Sequence, residues 1–269
     1  MTELQNNKLN TMKSTQSLLL AVVCGIIFTL PFTGKAALYT INDTIADAFL
    51  SGASPTLNFG GAGTLVIAPA SSRKGEFDSV IMFNTASAVS QFNTTYGAGN
   101  WTITGFTLSL ASNFGTQGAI PNNSLLNTVS GGSFGIDWLA NDSWVEGTGG
   151  GNGAANGAVS FNSIASLLSP GYDSLGTYTY APPGNNVYAN YSLPLDANLV
   201  SGAAAGGDVS LYFYAADNQV SYLFNSKDFA SNHPELTITA VPVPEPTTLT
   251  LVAASLGGFL FSRRQRRKK

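Results

Sequence analysis

Short apolar runs with a period of two residues constrain the fold of this chain most. Residues 209–214 alternate Val, Leu and Phe with Ser and Tyr, and residues 236–240 alternate Leu, Ile and Ala with Thr. Successive side chains of a β-strand point to opposite faces, so this spacing predicts strands that bury one face in a core. Clusters of Gly, Asn, Ser and Pro separate the runs. The expected fold class is all-β, a single antiparallel β-sandwich.

Other runs refine this expectation. Residues 65–67 and 80–83 are apolar without alternation, which predicts strands that are covered on both faces. Residues 106–110 alternate again, and Gly105 just before them predicts a β-bulge. Helical periodicity is nearly absent, and only residues 163–168 fit a short helical turn.

The central region is strongly acidic. Residues 37–241 hold three basic residues against 13 Asp and Glu, a net charge of −10, whereas the whole chain has a net charge of −3. Such a surface repels phosphate backbones, so we expect no nucleic-acid partner. It is compatible with bound calcium or with solubility outside the cell.

The first 36 residues have the order of a secretory signal peptide. A polar start with Lys8 and Lys13 precedes an apolar stretch at 18–30, and small residues follow around Ala36. This order predicts a signal helix that is cleaved during export through the general secretory route. Cys24 is the only cysteine and lies in the apolar stretch, so the mature protein would have neither a disulfide nor a thiolate nucleophile.

The last 28 residues, 242–269, form a tail of three parts. Pro244, Glu245 and Pro246 come first, an uncharged segment from Leu249 to Phe261 follows, and residues 263–269 are basic. We expect a transmembrane helix at about 247–262, at or just below the ~17 residues that span a bilayer. The basic residues should stay on the cytoplasmic side. They are Arg263, Arg264, Arg266, Arg267, Lys268 and Lys269.

This tail resembles the PEP-CTERM sorting signal of Gram-negative bacteria, in which a Pro-Glu-Pro motif precedes a short membrane segment and an Arg-rich end. The resemblance implies recognition by an exosortase, a transient stay in the inner membrane and cleavage near Pro244, Glu245 and Pro246. An ordinary C-terminal anchor would explain the apolar and basic parts but not the motif.

Residues 37–241 carry a second resemblance, to DNRLRE-type, disaggregatase-related domains of secreted bacterial proteins. It implies a β-jelly-roll and polysaccharide binding. Where many relatives have an Arg before a central Phe, this chain has an apolar run at 81–83, so a ligand role attached to that Arg does not carry over. The matching segments are residues 47–52, 55–60, 77–84, 143–148, 224–228 and 234–238.

Trp138, Trp144, Asp142 and Glu146 form the candidate sugar-binding cluster. An aromatic platform beside carboxylates suits a sugar ring, because the apolar face of the ring stacks while its hydroxyls form hydrogen bonds. The alternative is that both tryptophans are core aromatics. Four tyrosines could form a second platform, or could alternate between core and surface along two strands; they are Tyr178, Tyr180, Tyr188 and Tyr191.

Calcium is the candidate cofactor, as a structural ligand. It takes six to eight oxygens, often from Asp, Asn and backbone carbonyls. Asn42, Asp43 and Asp47 near the first strand could supply them, as could Asp217 and Asn218 in a turn. Solvated turn residues are the alternative explanation.

These observations together predict a secreted, non-catalytic protein of the cell surface or extracellular matrix that binds or structures exopolysaccharide. The alternative is a polysaccharide-active enzyme on the same scaffold, since a glycosidase needs only two suitably spaced carboxylates. Gly131, Ser133 and Gly135 match the G-x-S-x-G pattern of hydrolases, with His233 downstream. The pattern requires a strand-turn-helix corner on a parallel sheet, which an all-β fold does not provide.

Overall fold

The computed structural model describes residues 35–42, 44–113, 126, 131–150, 158–181 and 183–243. Residues Ala36–Pro242 form one compact unit, and this unit is mostly β. Its strands are β1 (Ala37–Ile41), β2 (Thr44–Ser51), β3 (Thr64–Ile67), β4 (Phe77–Asn84), β5 (Trp101–Ala111), β6 (Ser133–Leu139), β7 (Tyr172–Thr179), β8 (Tyr188–Leu193), β9 (Asp208–Ala215), β10 (Tyr222–Asn225) and β11 (Glu235–Pro242).

Three antiparallel sheets contain these strands. A four-stranded sheet has the order β1-β11-β5-β8, a five-stranded sheet has the order β2-β4-β9-β6-β7, and β10 pairs with β3. The prediction of an all-β sandwich is confirmed. The two larger sheets face each other across the main core, to which Ile81 and Leu211 contribute from one sheet and Leu108 and Ile238 from the other.

The strand pairs are nested along the chain. The innermost pair is β6 with β7, and around it β5 pairs with β8, β4 with β9, β3 with β10 and β1 with β11. The described chain is thus a long antiparallel hairpin whose two arms fold over together. Nearly every pair outside the centre therefore joins residues that are distant in sequence.

The small β3–β10 sheet connects the two larger ones. Ala68, just after β3, bridges to Phe77 of β4, and Ser112, just after β5, bridges to Phe224 of β10. Leu65, Val66 and Ile67 are all buried. The predicted burial of this run on both faces is confirmed, as is that of residues 80–83.

The predicted alternation of buried and exposed residues is found in β11, whereas β9 buries additional residues. In β11 the apolar residues are buried and the threonines between them are half-exposed, as predicted. In β9, however, Ser210 and Tyr212 are buried as well, because a second apolar cluster covers the outer face of the five-stranded sheet. The predicted bulge is confirmed, since the β5–β11 register shifts next to Gly105.

Helices are more numerous than predicted. The turn expected at 163–168 is confirmed as a 3₁₀ turn (Phe161–Ser163) leading into α2 (Ile164–Leu168). The expectation of helix there alone is wrong, because α1 (Ala86–Tyr96) and α3 (Ala197–Ala205) are also present. Each of these buries only two side chains, so its apolar periodicity is weak.

The predicted signal helix, apart from residues 35 and 36, lies outside the described residues, and so do the sorting motif and the predicted transmembrane segment. Among the residues that the structure does describe, no helix combines the length and the apolar character needed to cross a membrane.

Candidate functional site

Three carboxylates from distant parts of the chain meet beside β2. Asp47 lies on β2, Glu146 in the segment after β6, and Asp228 in the turn after β10. One carboxylate oxygen from each residue lies within 4.8 Å of the other two. We call Asp47, Glu146 and Asp228 the acidic cluster.

Asp47 is the buried member of the acidic cluster. It pairs with Ile81 across β2 and β4, and directly opposite residues share a face, so it lies on the core side of the sheet. Its exposed fraction is 0%. Oδ2 accepts a hydrogen bond of 2.6 Å from the backbone N–H of Lys227, whereas Oδ1 has no hydrogen-bond partner among the described residues. A buried carboxylate oxygen without a partner is costly, so this position is suited to a further donor or a cation.

Glu146 and Lys227 close the cluster. Glu146 Oε1 accepts from the backbone N–H of Asp47 at 3.1 Å, on the side of β2 that faces away from β4. The Lys227 ammonium lies 3.1 Å from Glu146 Oε2 and 3.3 Å from Asp228 Oδ1. One ammonium therefore serves two carboxylates and leaves the third, that of Asp47, without direct ion pairing.

Burial is the main cause of the raised pKa values of Asp47 and Glu146 in the acidic cluster. The pKa of Asp47 is raised to about 8, chiefly by burial; the charges of Glu146 and Asp228 also raise it, and the Lys227 N–H and ammonium lower it. Burial also raises the pKa of Glu146, outweighing its hydrogen bonds from Asp47 and Lys227. Burial lowers the pKa of Lys227, but the two neighbouring carboxylates more than reverse this and raise it. At neutral pH Asp47 therefore largely keeps its proton, and Glu146 and Asp228 share the one Lys227 ammonium.

A buried amide fixes the segment that carries Glu146. Asn58 Nδ2 donates to the backbone carbonyls of Glu146 and Val159, and its Oδ1 accepts from the N–H groups of Gly60 and Gly149. Gly147 has φ +79°, and a Cβ there would lie 2.4 Å from Asn58 Oδ1. Only glycine permits this close approach, and the backbone around Glu146 is therefore held in place.

The calcium candidates separate in the structure. Asp47 lies in the acidic cluster, Asn42 is exposed after β1, and Asp43 lies outside the described residues. Asp217 caps a turn instead: its carboxylate accepts from the backbone N–H groups of Ser133, Gln219 and Val220. What the structure supports is an acidic cluster that could hold a metal ion and that contains one of the predicted ligands.

The four predicted sugar-binding residues do not meet at one place. Trp138 pairs with Leu211 and packs against the main core, whereas Trp144 packs on the outer face of the five-stranded sheet and donates to Ser210 Oγ at 3.0 Å. Asp142 is half-buried, and burial raises its pKa while hydrogen bonds from Ser210 lower it. Glu146 belongs to the acidic cluster. The two tryptophans are partly buried on opposite faces of the sheet.

Three of the four tyrosines, Tyr178, Tyr180 and Tyr191, pack in or against the main core. Tyr180 and Tyr191 are buried, with Tyr180 stacked on Tyr222 at a ring-centroid distance of 3.5 Å. Tyr178 and Tyr188 are half-exposed. Tyr178, Tyr188 and Tyr191 border a common groove of about 360 Å³.

A second buried carboxylate lies on the outer face of the five-stranded sheet. Asp78 accepts a 2.6 Å hydrogen bond from the Tyr212 hydroxyl. The pKa of Asp78 is raised to about 7, chiefly by burial; the Tyr212 hydrogen bond lowers it and the Glu76 charge raises it. Tyr212 stacks on Tyr214, whose hydroxyl lies 3.5 Å from Asp137 Oδ1.

Sequence reasoning missed Lys227 and Asp228 as functional residues and assigned Glu146 to a different ligand. A signal was present, however. The segments 47–52, 143–148 and 224–228, quoted above for their resemblance to DNRLRE-type domains, are the ones that supply the acidic cluster and Lys227. Three such segments that each contain an acidic residue could have suggested a shared site.

Comparison with known proteins does not identify a family. No protein-family model matches the chain, and no curated protein sequence matches it. Among solved structures, the chain is similar to one from Mud crab tombus-like virus determined by cryo-electron microscopy, with 8% sequence identity and a TM-score of 0.26. That match covers 84% of this chain and 89% of the viral chain.

Proposed function

We propose that this protein is exported, processed by an exosortase and retained at the cell surface or in the extracellular matrix, where it binds or structures exopolysaccharide without catalysing a reaction. The sequence supports the export and processing steps through its cleavable leader and its Pro244, Glu245 and Pro246 motif. The described residues support a rigid β-sandwich as the working part.

The sandwich in this proposal is a jelly-roll. The nested pairs β1–β11, β3–β10, β4–β9, β5–β8 and β6–β7 support it, because folding a long hairpin over itself is how two Greek keys produce a jelly-roll. Such double sheets occur in lectin domains, which bind sugars, and also in capsid and cupin domains.

Calcium is part of the proposal as a structural ligand, and one observation carries it: the fully buried Asp47 carboxylate has an unpartnered oxygen beside two further carboxylates. Carboxylate oxygens are the ligands that calcium prefers, and extracellular calcium modules bind at about 10⁻⁴–10⁻³ M. The Lys227 side chain is 24% exposed, so its ammonium can move into solvent when the metal enters. Calcium would then join three segments that are distant in sequence.

Calorimetry and thermal unfolding of the full chain in mild detergent test this part of the proposal. Calcium at one hundred times Kd should raise the free energy of unfolding by about 2.7 kcal/mol. Asp47→Asn should abolish the gain, and Asp173→Asn, outside the cluster, should keep it. Lys227→Met should bind calcium more tightly than the wild type, because it removes the competing ammonium. Equal melting temperatures with calcium and with chelator, in both the wild type and Lys227→Met, would contradict the site.

Affinity electrophoresis together with a reducing-sugar assay tests the binding role. We expect the wild type to be retarded by at least one polysaccharide and to release no sugar from it. Sugar release that disappears in Asp142→Ala or Glu146→Ala would show an enzyme instead. No retardation by any polysaccharide would leave a purely structural role.

A further inference from the structure

The groove beside the tyrosines lies where the two large sheets expose their edges. β7 is one edge strand of the five-stranded sheet, and β8 is one edge strand of the four-stranded sheet. Between them lies the space of about 360 Å³ that Tyr178, Tyr188, Asn190, Tyr191 and Pro183 border. This volume falls in the usual range of small-molecule sites, about 300–1,000 Å³.

Two of the aromatic rings are held in fixed positions. The Tyr178 hydroxyl lies 2.9 Å from the Leu175 carbonyl oxygen and 3.0 Å from that of Ser192, so it links β7 to β8. The Tyr188 hydroxyl lies 2.9 Å from both the His233 carbonyl oxygen and Glu235 Oε1. A ring fixed before binding loses little conformational entropy when a ligand stacks on it.

A polar group with spare hydrogen-bonding capacity accompanies these rings. Asn190 uses its amide oxygen to accept from Ser109 Oγ at 2.8 Å, which leaves the two amide N–H donors for a ligand. Aromatic faces with a few adjacent hydrogen-bonding groups suit a sugar ring, which has an apolar face and hydroxyls at its rim.

The charge of the groove restricts the kind of sugar. Among the described residues that border it, none is Lys or Arg, and the nearest charged partner of its rings is the Glu235 carboxylate on Tyr188. Residues 37–241 as a whole have the net charge of −10 noted above. A polyuronate would bring further carboxylates without meeting a cation and would be repelled.

From this geometry we infer that the groove between β7 and β8 binds a neutral polysaccharide and discriminates against polyuronates. A sugar ring stacks on Tyr188 or Tyr178, while Asn190 donates to a ring hydroxyl. This inference rests on the proposed polysaccharide binding and specifies its site and its ligand class. It does not depend on calcium.

Affinity electrophoresis of the full chain in mild detergent tests the inference with four soluble probes. They are a mixed-linkage β-glucan and a galactomannan as neutral polymers, and alginate and polygalacturonate as polyuronates. We expect retardation by at least one neutral probe and none by the polyuronates at physiological salt. Tyr188→Ala should weaken neutral binding about tenfold or more, and Tyr188→Phe should bind nearly as well as the wild type because it keeps the ring.

Two further variants distinguish a specific loss of sugar binding from a general loss of folded structure. Asn190→Ala changes an exposed side chain and should also weaken neutral binding, whereas Tyr172→Ala removes an exposed tyrosine at the other end of β7 and should not. Neutral binding that survives both Tyr188→Ala and Asn190→Ala would overturn the groove but leave the proposed function. Stronger binding to polyuronates would overturn the ligand class. No retardation by any of the four probes would overturn the groove and the binding role together, and would leave a purely structural role.

Discussion

Asp78 shows how one buried side chain can make stability depend on pH. It lies on the outer face of the five-stranded sheet opposite Leu50, and the Tyr212 hydroxyl donates to it. Its pKa is about 7 in the folded protein, against an ordinary value of 3.8. Between these values the native state keeps a proton that the unfolded chain has released.

We therefore predict that the contribution of Asp78 to the free energy of unfolding falls as the pH rises from about 4 to about 7. The slope is limited to about 1.4 kcal/mol per pH unit for one proton. Urea unfolding of the wild type and of Asp78→Asn across this range measures the effect. The free energy of unfolding of the wild type minus that of the variant should decrease as the pH rises. Tyr212→Phe should extend the upper end of this pH window, because the Tyr212 hydroxyl favours the ionised Asp78 carboxylate and so lowers its folded-state pKa. A difference that is independent of pH would contradict the prediction.

At the residue scale the sequence identifies the right residue types but not their partners. Asp47 and Glu146 both stand out from the sequence, one as a calcium ligand and the other beside a tryptophan, yet they are 99 residues apart. What brings them together is the unpaired side of β2, where a backbone N–H of the edge strand needs an acceptor. That need exists only once the sheet order is known, so no local pattern could predict it.

At the element scale, α3 has the clearest boundaries of the helices. Asp196 Oδ1 accepts from the backbone N–H groups of Asn198 and Leu199 at 2.9 Å each, and Gly206 ends the helix in a left-handed conformation. These are ordinary N-terminal and C-terminal helix signals. Reading them together would have predicted this helix from the sequence.

We predict that Asp196→Ala lowers the free energy of unfolding by about 1 kcal/mol, because it leaves two backbone donors without their acceptor. Asp196→Asn keeps a capping oxygen and should stay within a few tenths of a kcal/mol of the wild type. Chemical denaturation of the three proteins at one pH gives the comparison. Equal losses in both variants would assign the effect to charge rather than to capping.

Strands were easier to predict than helices for a physical reason. In β11 every second residue is apolar, because only one face of this strand packs on the core. In α1 only Ala88 and Phe92 are buried, too few to set a visible helical period. Periodicity reports burial rather than backbone conformation, and elements with a small buried face escape it.

At the scale of the whole molecule, the sequence predicts the sandwich but not its pairing. The nested arrangement joins Ala37 to Ala240 and Thr64 to Asn225, and nothing in the alternation of either strand specifies so distant a partner. Register in such pairs is selected when the apolar faces meet in a common core. Pairing is therefore a property of the complete chain.

Processing of the tail is also a whole-molecule prediction. In a host with an exosortase, the exported wild type should lose its C-terminal residues near Pro244, Glu245 and Pro246, and intact-mass spectrometry should detect the shorter product. Glu245→Ala should keep the full tail and remain in the membrane fraction, whereas Thr247→Ala, beside the motif, should be processed. Equal processing of the wild type and Glu245→Ala would contradict recognition of the motif.

The position of β11 has a mechanical consequence. This strand ends at Pro242, where the chain leaves the sandwich, and it lies between β1 and β5 with ladder hydrogen bonds to both. A pull on the C-terminal connection therefore cannot peel off one edge strand. It must break two ladders at once, so the four-stranded sheet shares the load. Force applied at this end is therefore met by the middle of the sheet rather than by its edge.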